Sequence, residues 1–197
     1  MFTRRVAVVG TGYVGLTTGA CLASLGHQVV CADIDTAKVE RLRRGVVDIL
    51  EPGLSDLVSE QVSAGRLSFV VGAPSAVTGF PAGGADAAEA YAEVVFLCLP
   101  TPMGVGGVAD LRAVETVVEE TRELLAAGTV VVNKSTVPVG TAGRTAELLD
   151  RPDVAVVSNP EFLREGSAVH DFLNPDRIVV GCDTAEAAER VAALYAR

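Results

Sequence analysis

Seven short, almost unbroken apolar runs punctuate the chain, at residues 4–10, 28–33, 66–72, 93–99, 129–135, 153–159 and 177–181. Runs without polar alternation describe strands covered on both faces, as in a parallel sheet. Between most of them the apolar positions take up helical spacing, at 12–25, 36–44, 54–64, 111–126 and 143–149. Strand and helix in alternation predict right-handed crossovers and a doubly wound α/β fold. The stretch 72–90, rich in Gly, Ala and Pro, reads as a surface loop leading into a short helix, an insertion rather than a domain boundary. Residues 185–197 predict an amphipathic helix with Ala188, Val191 and Leu194 on one face and no residue that would end it. The chain is therefore expected to belong to a longer one.

Composition narrows the class. At 197 residues, 49% of them hydrophobic, one well-buried domain spanning 1–197 is expected. Sixteen basic against twenty-five acidic residues leave a formal charge of −9, which argues against nucleic acid or an anionic membrane as partner. A bound phosphate would have to be held by local dipoles. The four cysteines lie far apart without a CxxC pair, as reduced thiols of a cytoplasmic protein do, and neither a signal peptide nor a membrane-spanning run is visible.

The first strand leads into GTGYVG, with Gly10, Gly12 and Gly15 in GxGxxG register, then straight into a helical pattern. Alone the hexapeptide is weak. Strand before, helix after and an acidic residue about 20 positions on make it the dinucleotide fingerprint of a Rossmann-like fold. Gly10 would make the tight turn, Gly12 would admit a pyrophosphate, and Gly15 would let helix and strand pack closely. Asp33, ending the second run, can accept both ribose hydroxyls and would repel a 2′-phosphate, so NAD is favoured over NADP. Lys38, one turn into the next helix, would sit beside the same ribose. FAD uses the same fingerprint, and a plainer reading makes the Asp a helix cap at Thr36.

Ligands of open parallel sheets bind beyond the carboxyl ends of the strands. Five unusual segments fall there and are expected to form one site: Gly10 to Gly15, Asp33, Thr101 with Pro102, Lys134 to Thr136, and Asn159 to Glu165. KSTVPVGT could equally be a helix cap with Pro near the first turn. NPEFLREG could be a solvated loop whose Arg164 pairs with a neighbouring Glu, although Phe162 and Leu163 between the charges suit a pocket wall. Cys98 is the one thiol at the mouth of its strand, and packing explains it adequately. His27 reads as a turn residue and His170 has no nucleophile beside it. No catalytic triad and no metal-ligand spacing is found.

Taken together, GTGYVGLTTGACLASLGHQV, ADIDTAKVERLRRG, EPGLSDLV, PTP followed by ADL, KSTVPVGT and NPEFLREGSAVHDFLNPDRIVVG resemble, in order, the blocks of the NAD-binding domain of the UDP-glucose 6-dehydrogenases, within the wider UDP-glucose and GDP-mannose dehydrogenase family. That resemblance implies oxidation of the C6 alcohol of UDP-glucose to the carboxylate of UDP-glucuronate, with two NAD in succession, through an enzyme-bound thioester that water hydrolyses. Carried over residue by residue, Gly10, Gly12, Tyr13, Val14, Gly15, Asp33, Lys38, Thr101, Pro102, Ser135, Thr136 and Glu165 would bind the cofactor, Glu165 near its nicotinamide end. Glu161 would be the acid or base serving the hydrolytic water, and Thr136 would help to hold that water. Glu161, Phe162, Leu163, Arg164 and Glu165 would line the nucleotide-sugar.

The family's thiol nucleophile belongs to a later domain, and none of Cys21, Cys31, Cys98 and Cys182 corresponds to it. A central linker helix and a C-terminal UDP-binding domain are thus expected outside this chain, in an enzyme that is a homodimer when whole. Three departures affect loops near the cofactor: Asp48 replaces the usual Pro before the Ile of the EPGL block, Gly106 and Gly107 replace the Asp-Gly after PTP, and 72–90 is longer than usual. A dehydrogenase for GDP-mannose or another nucleotide-sugar, and an NAD-binding module without chemistry of its own, remain as alternatives.

Overall fold

The computed structural model describes residues 3–80, 90–104 and 109–196. Six of the seven apolar runs are strands: β1 (Arg5–Val9), β2 (Gln28–Asp33), β3 (Leu67–Val71), β4 (Val94–Leu97), β5 (Val130–Asn133) and β6 (Ala155–Ser158). They form one sheet in the order β3-β2-β1-β4-β5-β6, and every neighbouring pair is parallel. The order reverses between β1 and β4. In a doubly wound sheet that switch point opens the crevice where ligands bind.

Both faces of the sheet are covered, which is why the strands read as continuous rather than alternating apolar runs. On one face Val6, Val8, Val29, Cys31, Phe69, Phe96 and Val132 meet α1 (Tyr13–Ser24), α2 (Thr36–Arg43), α3 (Leu54–Ser63), α7 (Ala168–Leu173) and α8 (Ala185–Ala193). On the other, Ala7, Val9, Val30, Ala32, Val95, Leu97 and Val131 meet α4 (Ala73–Thr78), α5 (Arg112–Thr121) and α6 (Thr141–Leu149). The four central strands, β1, β2, β4 and β5, thus send alternate side chains into two separate cores.

Four sequence expectations need correction. The run at 177–181 is not a strand: Ile178 and Val179 are 38% and 42% exposed, and only Gly181 pairs, in an isolated antiparallel bridge with Ser158. The chain returns there along the outer edge of β6, where nothing in the described residues covers a second face. Residues 73–78, expected as surface loop, form α4, whose Ala73, Ala76 and Val77 are buried; Pro74 is tolerated because it lies in the first turn. The segment 81–89 and Gly106 and Gly107 lie outside the described residues. Helix α7 was not expected at all. On α8 the inward positions are Ala187, Val191 and Leu194, with Ala187 taking the place assigned to Ala188.

His27 is 3% exposed and joins the two ends of the chain. Its Nδ1 accepts the amide of Arg4 at 3.2 Å, and its Nε2 donates to the carbonyl of Leu194 at 2.9 Å. Burial lowers its pKa, because protonation would charge a dry site and remove the acceptor from Arg4. The unfolded chain therefore binds the proton more readily than the fold does. Stability is full above the ordinary histidine pKa of about 6.5 and falls as pH drops through it, until the lower pKa of the folded state is passed as well. Thermal melts of the wild type and His27→Gln from about pH 8 to about pH 5 check this, on either side of the ordinary histidine pKa. The variant is expected to be less stable at the alkaline end and flatter toward the acid end, and parallel curves would remove His27 from the effect.

Candidate functional site

Beyond the carboxyl ends of β1, β2, β4 and β5 lies a cleft of about 800 Å³ with largely apolar walls, within the size range of cofactor pockets. Gly10, with φ of +95°, turns the chain from β1 toward α1, and its amide donates to the carbonyl of Ala32 at 2.8 Å. A side chain at Gly15 would place its Cβ 1.8 Å from the Gly10 carbonyl oxygen. The start of α1 can approach β1 this closely only because that Cβ is missing. At Gly12 the same construction meets nothing within 4 Å, so the space beside the helix N-terminus is open to a ligand. The unpaired first-turn amides and the helix dipole there suit a phosphate in a chain whose net charge does not.

Asp33 closes the far end of the cleft. Its Oδ2 accepts from the Thr11 amide at 3.1 Å, the Thr11 hydroxyl at 2.6 Å and the Lys38 ammonium at 2.8 Å, and its Oδ1 accepts from the Asp35 amide at 3.1 Å. Burial alone would raise its pKa, but these hydrogen bonds outweigh burial and hold the carboxyl well below the usual range. It is an anion at every physiological pH. The capping role belongs instead to Asp35, whose Oδ1 accepts from the Lys38 amide at 3.0 Å. Asp33 is left free for the cleft.

Across the cleft, Thr101 and Thr136 approach each other, the Thr101 hydroxyl donating to the Thr136 carbonyl at 3.0 Å. The Ser135 hydroxyl donates to the Leu99 carbonyl at 2.7 Å. Neither Ser135 nor Thr136 caps a helix, since α6 begins at Thr141 behind Gly140. Glu161 reaches the same wall, and its Oε2 accepts from the amide of Leu163 at 2.6 Å.

The cleft thus gathers Gly10, Gly12, Tyr13, Val14, Asp33, Lys38, Thr101, Ser135, Thr136 and Glu161. Pro102 and Glu165 are exposed and do not line it, and Gly15 is buried behind it. The expectation of a single site is corrected here: Phe162, Leu163 and Arg164 line an adjacent hollow of about 180 Å³ with Lys134, Asn159 and Tyr195. Arg164 does not pair with either neighbouring Glu. Its guanidinium grips Asp171 at 2.9 and 3.0 Å, in the first turns of α7.

Three residues without an individual assignment stand out, two of them, Thr11 and Lys134, inside segments expected at the site. Thr11, wholly buried, orients Asp33. Glu51, 7% exposed, accepts from the Tyr13 hydroxyl and from the amides of Gly166 and Ala168. Lys134, 4% exposed, has its pKa pushed down to about 8 by burial, with Asn159 Oδ1 and the Tyr195 hydroxyl each at 3.3 Å. A lysine closing the buried run VVVNK was the available signal for the last; the other two have remote partners.

Cys98 forms part of the cleft wall, and burial pushes its thiol up to about 12. It is not a thiolate at neutral pH. Asp48 is engaged by the Arg41 guanidinium at 2.7 Å. Among the described residues there is no cluster of metal-ligating side chains, and no helix is long and apolar enough to cross a membrane.

Residues 4–197 match the family described as UDP-glucose/GDP-mannose dehydrogenase family, NAD binding domain. Over 98% of its length the chain is 45% identical to a UDP-glucose 6-dehydrogenase of Pseudomonas aeruginosa and 41% identical to UDP-glucose 6-dehydrogenase TuaD of Bacillus subtilis. It spans 42% and 40% of their lengths. Among solved structures, a UDP-glucose dehydrogenase from Pyrobaculum islandicum is 38% identical with a TM-score of 0.84, covering 98% of this chain and 44% of that one. A GDP-mannose dehydrogenase from Pseudomonas aeruginosa, solved as a ternary complex, is 30% identical with a TM-score of 0.83, covering 97% and 44%. With the glycine turn, the acidic residue at the end of β2 and the cleft between them in place, the chain belongs to the UDP-glucose/GDP-mannose dehydrogenase family, as its NAD-binding domain.

Proposed function

We propose that this chain is the cofactor half of an enzyme that oxidises C6 of UDP-glucose to a carboxylate with two NAD. The observation that carries the reading is the carboxylate of Glu161 on the same cleft as the glycine turn and Asp33. A pure cofactor sensor has no use for it. In this reading the amides at the start of α1 and the turn from Gly10 to Val14 hold the pyrophosphate. Asp33 accepts the adenosine ribose hydroxyls, with Lys38 beside it. Thr101, Ser135 and Thr136 flank the nicotinamide half. NAD bound there supplies the hydride acceptor.

Glu161 serves the water that hydrolyses the thioester, Thr136 helps to hold that water, and Phe162, Leu163 and Arg164 line the nucleotide-sugar. The bond from Leu163 to Glu161 fits this division, because it fixes the carboxylate against the residues that would touch the sugar. The depressed acidity of Cys98 supports a thiol nucleophile supplied by a later domain. The domain expected at 1–197 would then be followed, in the whole protein, by a linker helix and a UDP-binding domain. We read that protein as a cytoplasmic homodimer. The similarity to a GDP-mannose dehydrogenase favours one other reading, a different nucleotide-sugar, since base recognition would lie largely outside this chain.

The reading is tested on this chain by calorimetry and absorbance. NAD is expected to bind, and NADP to bind at least about 100-fold more weakly, because its extra phosphate would face the Asp33 carboxylate. Asp33→Ala is expected to weaken NAD by roughly ten- to a hundredfold, the loss of charge-assisted hydrogen bonds of about 1.5–3 kcal/mol. UDP-glucose is expected to bind poorly and to yield no NADH when added with NAD. Equal affinity for NAD and NADP would sink the Asp33 assignment. Sustained NADH would mean that a group in this chain does the work assigned to the later domain.

A further inference from the structure

Glu51 has no part in the chemistry above, yet it lies where the cofactor turn meets the segment that carries Glu161. It belongs to the link between α2 and α3 and is 7% exposed. Its Oε2 accepts from the Tyr13 hydroxyl at 2.6 Å and from the Gly166 amide at 2.8 Å, and its Oε1 accepts from the Ala168 amide at 2.8 Å. Tyr13 is the first residue of α1, and it lines the cleft. Its hydroxyl oxygen also lies 3.0 Å from the Arg164 carbonyl, but its one proton goes to the nearer carboxylate. Gly166 and Ala168 lie just beyond residues 161–164, where the chain enters α7. One carboxylate therefore joins the turn to a segment remote from it in sequence.

We propose that Glu51 is a positioning residue that couples the cofactor site to the substrate segment. This rests on the reading of the turn as the NAD site and of residues 161–164 as the substrate side. A buried carboxylate with donors on both oxygens loses a large part of its compensation when one is withdrawn, so its partners keep their places together. A ligand that fixes the backbone at Tyr13 also fixes its hydroxyl, and through Glu51 the amides of Gly166 and Ala168. The segment bearing Glu161 is then held more firmly with NAD than without it. By linkage the effect is reciprocal: occupation of the substrate segment tightens NAD.

Amide hydrogen exchange on this chain, with and without saturating NAD, reads the coupling directly. NAD is expected to slow exchange at Gly166 and Ala168 at least about fivefold more than at remote amides such as Arg144 and Ala188, the low end of the range for coupled sites. Tyr13→Phe removes the link and leaves both amide bonds to Glu51 intact. With NAD bound, as checked by calorimetry, this variant is expected to lose the extra protection, measured against its own NAD-free rates. Glu51→Gln cannot accept from both amides, since its NH2 faces one of them, and is expected to speed their exchange roughly tenfold without NAD. Extra protection that survives in Tyr13→Phe, or is absent from the wild type although NAD binds, would leave Glu51 a cap of α7 and overturn the coupling. Absence of any NAD binding would overturn both this proposal and the cofactor reading beneath it.

Discussion

In the whole enzyme proposed above, Glu161→Gln is expected to slow hydrolysis of the thioester by about 10²- to 10⁴-fold, the usual worth of a positioned general base. The first hydride transfer should change far less. Only the hydrolytic step needs an acceptor for a proton from water, and glutamine keeps the size of the side chain while giving that acceptor up. The glutamine carbonyl can still accept from the Leu163 amide, so the neighbouring wall is expected to stay where it is. Rapid-quench trapping of the acyl-enzyme beside the time course of NADH separates the steps: the variant should release its first NADH at near the normal rate and then accumulate covalent intermediate. Full turnover, or failure before any NADH forms, would remove Glu161 from this role.

Gly15→Ala is expected to abolish measurable NAD binding and to destabilise the fold by about 1–3 kcal/mol, the range for overpacking. Its Cβ would stand 1.8 Å from the Gly10 carbonyl oxygen and 3.0 Å from the Cys98 Cβ. Both Gly15 and Gly10 are backbone fixed from the other side, Gly10 by its bond to Ala32 and by the Cys98 carbonyl oxygen, which lies 2.3 Å from where a Gly10 side chain would begin. Nothing flexible is available to yield, so α1 must move away from β1. A displacement of about 1 Å at a positioned group can cost 10²-fold, and here it would move the amides proposed to hold the pyrophosphate. Gly12→Ala is the contrast. Its Cβ meets no protein atom, so stability should hold while NAD binding falls, because the new methyl occupies the ligand's space. Wild-type melting and wild-type NAD affinity in Gly15→Ala would refute the packing argument.

Why some of this could be read from the sequence and some could not follows from where each residue finds its partners. Strands β1, β2, β4 and β5 were legible because a strand covered on both faces must be apolar throughout, and the Val-rich runs say so; β3 and β6 share that composition at the edges of the sheet. The run at 177–181 has the same composition but only an edge to lie against, and composition does not distinguish an edge from a centre. Helix α4 was hidden by Gly72, Pro74 and Gly79, which usually mark loops; its Pro is harmless in the first turn. Helix α7 was invisible for a different reason. The amides opening it bond to Glu51, which lies far earlier in the chain, so no local cap announced it.

The cofactor side of the cleft was legible because its information is local: a strand, three glycines at fixed spacing, a helix, and an acid at the end of the next strand. Ser135 and Thr136 of KSTVPVGT line the cleft, although capping was an equal rival. The division of NPEFLREG between two hollows was not readable. It depends on Arg164 turning to Asp171, a contact with a helix the sequence did not reveal. Thr11 escaped notice because a threonine inside a glycine turn looks like filler until the carboxylate it orients is seen.

The four hydrogen bonds on Asp33 have an entropic consequence. A carboxylate that must be frozen when its ligand arrives charges that loss of rotamer freedom against affinity, typically about 0.5–1.5 kcal/mol for an immobilised side chain. At Asp33 the freezing is completed during folding, by Thr11, Asp35 and Lys38, so a ribose bound as proposed would meet an acceptor already aimed. In that reading the ribose would still share Oδ2 with the Lys38 ammonium, a contact between partly exposed groups that added salt weakens. Part of the discrimination at this end of the cleft is therefore settled before any nucleotide is present.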